Sequence, residues 1–241
     1  MNKQLNYLVY KNICSLDYNL YISEKGTYKG ASRDISYESI PGRRGDLIID
    51  NGRYKNITIP YQMTLVTNEY RDFTTLANLI KTWLLTDVGY FELWDTYDKS
   101  YYRAASYSSE INIEQELRDV GKINLSFNCK PFKYSLDGQK IIVLENPGYV
   151  YNAEFFSSLP YIKIVGNGNI TLTVNESSFY FENVEDYIEI DSEIKNAFKE
   201  NISQNNKMKT YNFPSLSRGK NTISWVGSVQ KIEIIPRWCC L

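Results

Sequence analysis

Two groups of carboxylates are the residues of this sequence most able to do chemistry. Asp95 and Asp98 fall three apart in Trp94-Asp95-Thr96-Tyr97-Asp98, and Glu185, Asp186, Glu189 and Asp191 form a second group. Paired carboxyl groups can act as acid and base on a glycosidic bond, and oxygen-rich loops can hold calcium. Neither group has the spacing of an EF-hand loop, and Asp95 and Asp98 lie at an apparent hairpin turn, so solvated turn charges are the simpler reading. The 241 residues include no histidine, which removes Ser/His/Asp and Cys/His nucleophiles, His-ligated zinc and imidazole proton relays together. Cys14, Cys129, Cys239 and Cys240 show no CxxC spacing, and an adjacent pair suits neither a zinc ribbon nor a redox motif. No catalytic, metal-binding or cofactor-binding residue is expected, and the chain does not read as an enzyme.

The loop Pro41-Gly42-Arg43-Arg44-Gly45-Asp46 invites other readings. A phosphate cradle fails, because no Lys-Ser/Thr follows the second glycine. An Arg-Gly-Asp adhesion tripeptide is a match of three letters only. Two readings stay open: a glycine-rich turn leading into a strand, or an interface turn in which Gly42, Arg43, Arg44, Gly45 and Asp46 meet a neighbour, with arginine forking onto its carboxylate.

Composition bounds the rest. Hydrophobic residues make up 43% and charged residues 23%, a globular rather than a disordered balance. The net charge of −1 lacks the basic footprint of a protein that holds nucleic acid or an anionic membrane. Aromatic residues reach 15%, with 21 Tyr, which favours pleated surfaces and wet interfaces. Residues 1–7 lack an apolar signal-peptide core and no run of 18 apolar residues occurs, so synthesis in a reducing cytosol is expected.

Strand-type alternation must position these groups. Asn51-Gly52, between apolar runs over 47–63, predicts a hairpin. Phe73, Leu76, Ala77, Ile80, Trp83 and Leu84 fall at helical spacing and predict an amphipathic helix over about 69–86, capped by Asn68, with Trp83 in the core. Strands follow at 90–95, 101–113 and 121–130; the last alternates Ile123, Leu125, Phe127 and Cys129 with polar residues, which buries the Cys129 thiol. Lys130-Pro131 should stop that strand, and the domain boundary falls near 135. Beyond it, short runs separated by turns such as Gly166-Asn167-Gly168-Asn169 suggest a β-sandwich, interrupted by an exposed loop from Lys195 to Lys209. Trp225 shares a face with Ile223 and belongs in the core, as does Trp238. Tyr149, Tyr151, Phe155 and Phe156 are left for domain docking or a partner protein.

Three segments together carry a resemblance. They are Ile40 to Leu47 with Asp50-Asn51-Gly52-Arg53-Tyr54; Trp94 to Asp98 with Tyr101-Tyr102-Arg103-Ala104; and Gly219-Lys220-Asn221 through Ile235-Pro236-Arg237-Trp238. In order over nearly the whole chain, they resemble the distal tail protein (Dit) family of siphophages of Gram-positive hosts. Arg44 departs from that pattern, where an acidic or small residue is frequent, which puts any specific salt bridge of that turn in doubt.

The resemblance implies a mainly β fold: an N-terminal β domain with one α-helix, tail-tube-like and ring-forming, over 1–135, and a C-terminal galectin-like or jelly-roll β-sandwich over 136–241. In some members the last segment returns to the first domain, which would concern residues 230–241. It further implies a virion structural protein at the tail tip: a homo-hexamer whose ring joins the tail tube protein to a tail-associated lysin or hub protein and to receptor-binding proteins. DNA would pass through the lumen without specific binding, and no membrane is involved. The alternative is a carbohydrate-binding module that recognises a host cell-wall glycan through the C-terminal sandwich. A galactoside site is not expected, since galectins build theirs around a Trp with a His partner.

Overall fold

The computed structural model describes residues 5–25 and 29–241. Residues 1–4, part of the segment read above for a signal peptide, lie outside them. The chain divides into two compact units, Met1–Lys133 with Leu241, and Tyr134–Cys240. Among the described residues no helix is long and apolar enough to cross a membrane.

The first unit carries β1 (Leu8–Tyr10), β2 (Ile13–Cys14), β3 (Leu20–Glu24), β4 (Arg33–Glu38), β5 (Leu47–Tyr54), β6 (Ile57–Val66), α1 (Phe73–Leu85), β7 (Phe91–Asp95), β8 (Tyr101–Ser106), β9 (Ile113–Leu117) and most of β10 (Val120–Ser135). Its main sheet runs β2-β1-β7-β8-β10-β6-β3, with β9 also on β10, and curls into a half-barrel. The centre is the antiparallel pair β6 and β10, in which Ile123 faces Met63, Leu125 faces Tyr61 and Phe127 faces Ile59. Because side chains alternate across a strand, this register puts one apolar row of each strand on the same concave face. All six residues are buried, each such side chain contributing about 1.5–3 kcal/mol relative to exposure. Helix α1 lays Leu76, Ala77, Ile80, Trp83 and Leu84 into that core. Trp83 satisfies its indole N–H on the Tyr10 carbonyl at 3.0 Å, as a buried Trp must.

The second unit carries β11 (Ile142–Leu144), β12 (Gly148–Asn152), β13 (Tyr161–Val174), β14 (Ser177–Val184), β15 (Tyr187–Asp191), β16 (Asn196–Lys199), β17 (Ile202–Ser203), β18 (Gly219–Ile235) and β19 (Cys239–Cys240). Its described residues form no α-helix, so the sheet's apolar face must be covered by the sheet itself. Two long strands make this happen. The first half of β13 pairs with β15 and with the end of β18, whereas its second half pairs with β14 and with the start of β18. Strand β18 correspondingly carries β12 near its start and β11 near its end. Between the halves the β13–β18 register shifts twice, around Gly166 and Asn167. Ile162, Ile164, Ile232 and Ile234 from one half and Leu172, Val174, Phe181 and Ile223 from the other meet in a single core. The expected sandwich is thus one hydrogen-bonded sheet folded over at a bulge. Gly227 sits at the fold with φ 117°, and a Cβ there would lie 2.5 Å from the Asn169 carbonyl oxygen.

Several local readings are corrected. Asn51-Gly52 does not turn a hairpin: β5 continues through it and pairs with β4, and β6 pairs with β10 and β3 instead. The positive φ of Gly52 serves a bulge, where Asp50 Oδ1 accepts the Gly52 N–H at 2.9 Å. Asp72, not Asn68, caps α1 by accepting the Thr75 N–H at 2.7 Å; Asn68 organises the turn before it. Strand β10 runs past Pro131 to Ser135, since proline ends pairing only where its missing N–H is required. Gly166 to Asn169 lies inside β13 and marks the bend rather than the end of a strand. Part of the stretch Lys195 to Lys209 is the hairpin β16–β17, with Ala197 fully buried and its N–H held by Asn205 Oδ1 at 2.7 Å. Residues 230–235 complete β18, and Cys239–Cys240 form β19, which pairs with β10.

Candidate functional site

Strands β4 and β5 form a two-stranded sheet of their own, paired with neither large sheet. Glu38 faces Leu47, Tyr37 faces Ile48 and Ser36 faces Ile49, so residues 39–46 are the tip of this arm. Gly42 (φ 81°) and Gly45 (φ 85°) supply the left-handed conformations the tip requires, and Arg43 closes a turn by donating its N–H to the Ile40 carbonyl at 3.1 Å. Pro41 to Asp46 are all exposed. Arg43, Arg44 and Asp46 make no ion pair or side-chain hydrogen bond among the described residues. Cations therefore project from this turn into solvent.

The flanks of the arm are unusual in the opposite sense. Tyr37 is 60% exposed and Ile48, directly across the pair, 61%; Ile40 and Ile49 are exposed as well. The base is ionic. Arg33 donates Nε to Asp50 Oδ2 at 3.0 Å, and Arg53 donates Nε to Asp34 Oδ2 at 2.7 Å. The Arg33 hydrogen bond, helped by the Gly52 N–H, holds Asp50 below the usual carboxylate range, and Arg53 does the same for Asp34. An isolated two-stranded ribbon is marginally stable in water; charged staples at its root compensate in part.

The carboxylate groups are structural. Asp95 is not a solvated turn charge: it is 6% exposed, accepts the Tyr61 hydroxyl at 2.5 Å and the Lys25 ammonium at 2.6 Å, and caps its own turn through the Tyr97 N–H at 2.9 Å. Burial first, then the Asp95 charge, raises the Tyr61 phenol well above its ordinary value. Asp98 pairs with Lys133 at 2.7 Å. The cavity beside these groups measures about 30 Å³, room for little more than a water. In the second group, Asp186 meets Lys199 at 3.1 Å, Glu189 accepts the Tyr161 hydroxyl, and Asp191 is forked by Arg237. Each carboxylate answers its own donor, and the described residues contain no cluster of three metal-ligating side chains. Nothing close in sequence announces Lys25 or Tyr61 as partners of Asp95.

The cysteines are free thiols. Burial pushes the Cys129 thiol up to about 12, and Cys239 likewise. Trp225 and Trp238 are half-buried and packed on the second core. Tyr149, Tyr151 and Phe155 are exposed, with Lys220 over the Tyr149 ring at 4.7 Å and Arg218 over Phe155 at 3.8 Å, while Phe156 is half-buried.

Residues 16–129 match the family described as phage tail protein RIFT-related domain. The fold of the whole chain is similar to that of the Dit protein (gp 19.1) of phage SPP1, whose crystal structure is presented as a paradigm of the hub adsorption apparatus in phages infecting Gram-positive hosts. The TM-score is 0.76 at 12% identity, over 99% of this chain and 100% of that one. Chains of the phage P2 baseplate in its activated conformation are similar at TM-scores of 0.55 with Ca and 0.53 with Sr. Both are 9% identical, covering 96% and 95% of this chain and 97% and 96% of theirs. No curated protein matches.

Proposed function

We propose that this chain, whose residues 16–129 match a phage tail domain family, is a distal tail protein. In this reading six copies close into a ring at the tail tip through their first units. The ring joins the tail tube protein to the hub or tail-associated lysin that leads to the receptor-binding proteins. The role is structural and not enzymatic. The observation that carries the reading is the β4–β5 arm: apolar flanks and an arginine-bearing tip that find no partner among the described residues of their own chain. A ring contact is heterologous, one patch meeting a different patch under a closing rotation. An arm with Arg43 and Arg44 at its end and Tyr37 and Ile48 along it supplies one such patch, with acidic and apolar surface as its complement. The near-neutral charge of −1 suits a conduit, because a basic lumen would hold DNA through counterion release.

Light scattering of the purified full chain, with negative-stain imaging, tests this. A mass of six or twelve chains and a ring with a central opening are expected. A strictly monomeric species at tens of micromolar, alone and mixed with its tail neighbours, would sink the proposal.

A further inference from the structure

A groove of about 580 Å³ lies on the first unit between α1 and the segment that enters β9. Phe73, Ala77 and Lys81, at helical spacing on one face of α1, line it from one side, and Ile111, Ile113 and Glu114 line it from the other. Gly121, across the ladder from Gln115, makes room for the helix: a Cβ there would lie 2.5 Å from the Phe73 ring. Ala77 and Ile111 are buried, Phe73 and Ile113 half-buried, and Lys81 and Glu114 exposed. The floor is therefore apolar and the rim charged.

Two features of this groove lack a counterpart in their own chain. Among the described residues β9 pairs with β10 alone, so its other edge, from Ile113 to the exposed Leu117, has no strand beside it. The rim charges are uncompensated as well. Glu110, Glu114 and Lys81 are exposed and make no ion pair or side-chain hydrogen bond among the described residues. Lys122, which faces Glu114 in the ladder, pairs with Glu116 instead, at 2.5 Å.

The β4–β5 arm carries the opposite set. Arg43, Arg44 and Asp46 at its tip are equally unpaired, so two cations and one anion stand on the arm where two anions and one cation stand at the groove. Behind the tip, Tyr37 and Ile48 are as exposed as Leu117, and both arm strands have an edge that neither large sheet covers.

We infer that the groove between α1 and β9 seats the β4–β5 arm of a neighbouring copy of this chain. Glu110 and Glu114 meet Arg43 and Arg44, Lys81 meets Asp46, and the free edge of β9 with Leu117 meets the flank of Tyr37 and Ile48. The inference rests on the ring proposed above and names the surface that completes its contact. Arm and groove are different patches, so each copy gives one and receives one, as a closing rotation requires.

Light scattering of the full chain over a concentration series tests the pairing by charge exchange. Glu110→Arg with Glu114→Arg should raise the concentration at which the assembly forms by about tenfold or more, since like charges across an interface repel. Adding Arg43→Glu and Arg44→Glu to the same chain should restore assembly, although those two changes alone disrupt it. Lys81→Glu, exchanged against Asp46→Lys, gives a second and independent cycle with the same expected pattern. All six side chains are exposed in the single chain, and circular dichroism checks that each variant folds. A wild-type chain that assembles, with groove variants that assemble equally well, would overturn this inference and leave the ring standing. Loss of assembly that neither exchange restores would overturn it too. A strictly monomeric wild-type chain would remove the ring and the seat together.

Discussion

Arg237 grips Asp191 with both arms of its guanidinium, Nη1 to Oδ1 at 2.7 Å and Nη2 to Oδ2 at 2.8 Å. The fork ties the segment after β18 to the end of β15. Burial on its own would raise the Asp191 carboxyl, but the Arg237 hydrogen bond and charge, with the Ile194 and Glu193 N–H groups, outweigh it and hold the group below the ordinary value.

Asp191→Asn should therefore cost about 1.5–3 kcal/mol in urea unfolding, the range for hydrogen bonds to a charged group. The pH dependence has a definite sign. A carboxylate lowered in the folded state contributes stability above its unfolded value, near 4, and loses it as pH falls through the folded value. The native chain should lose this contribution on acidification below about pH 4, and Asp191→Asn should show a flatter profile there. Equal acid sensitivity in both proteins would remove Asp191 from the account.

Charge reversal at the arm tip, Arg43→Glu with Arg44→Glu, should shift the light-scattering mass from the assembly to the monomer, since neither side chain has an ion pair within the described chain. Ile48→Asp should do the same from the flank. Monomer melting should stay within error for the tip variant. An assembly that survives both changes would place the ring contact elsewhere.

Gly227→Ala should destabilise the second unit by about 2–4 kcal/mol, because it combines a left-handed φ with a 2.5 Å approach to the Asn169 oxygen. Gly30→Ala, which meets open space, serves as the control and should be neutral to within about 0.5 kcal/mol. A Gly227→Ala loss within about 0.5 kcal/mol, no larger than the control's, would mean that the bend tolerates a side chain.

Cys129 and Cys239 should resist aromatic disulfide reagents at pH 8 until the chain unfolds, because both thiols are buried and raised to about 12. Cys14 and Cys240, both half-buried, should react first. Mass spectrometry of the labelled native protein reads the order directly. Early labelling of Cys129 would contradict the packed β6–β10 face.

How much of this could be read from the chain depends on whether the signal is local. The α1 face and the alternation of Ile123, Leu125, Phe127 and Cys129 are properties of one short window, and both appear in the structure as read. Asn51-Gly52 was legible as a need for positive φ, but the same dipeptide serves a bulge as well as a turn, and only the pairing of β5 with β4 decides. The Lys25–Asp95–Tyr61 cluster and the groove between α1 and β9 gather residues from distant segments, and no periodicity encodes that meeting. The tip Gly42 to Asp46 stood out by composition, whereas its place at the end of a ribbon paired with neither large sheet came from topology.

The exchange of partners along β13 and β18 also governs when the second unit can exist during synthesis. Leu172 waits for Trp225 and Ile164 for Ile232, so a nascent chain that has emerged only through β17 exposes half-built apolar layers on both sides of the bend. Long-range pairing of this kind is slow and leaves open edges meanwhile. The unit should become protease-resistant in one step, once the ribosome has released the chain through Ile235, while the first unit, whose strands through Lys133 are already out, can fold ahead of it.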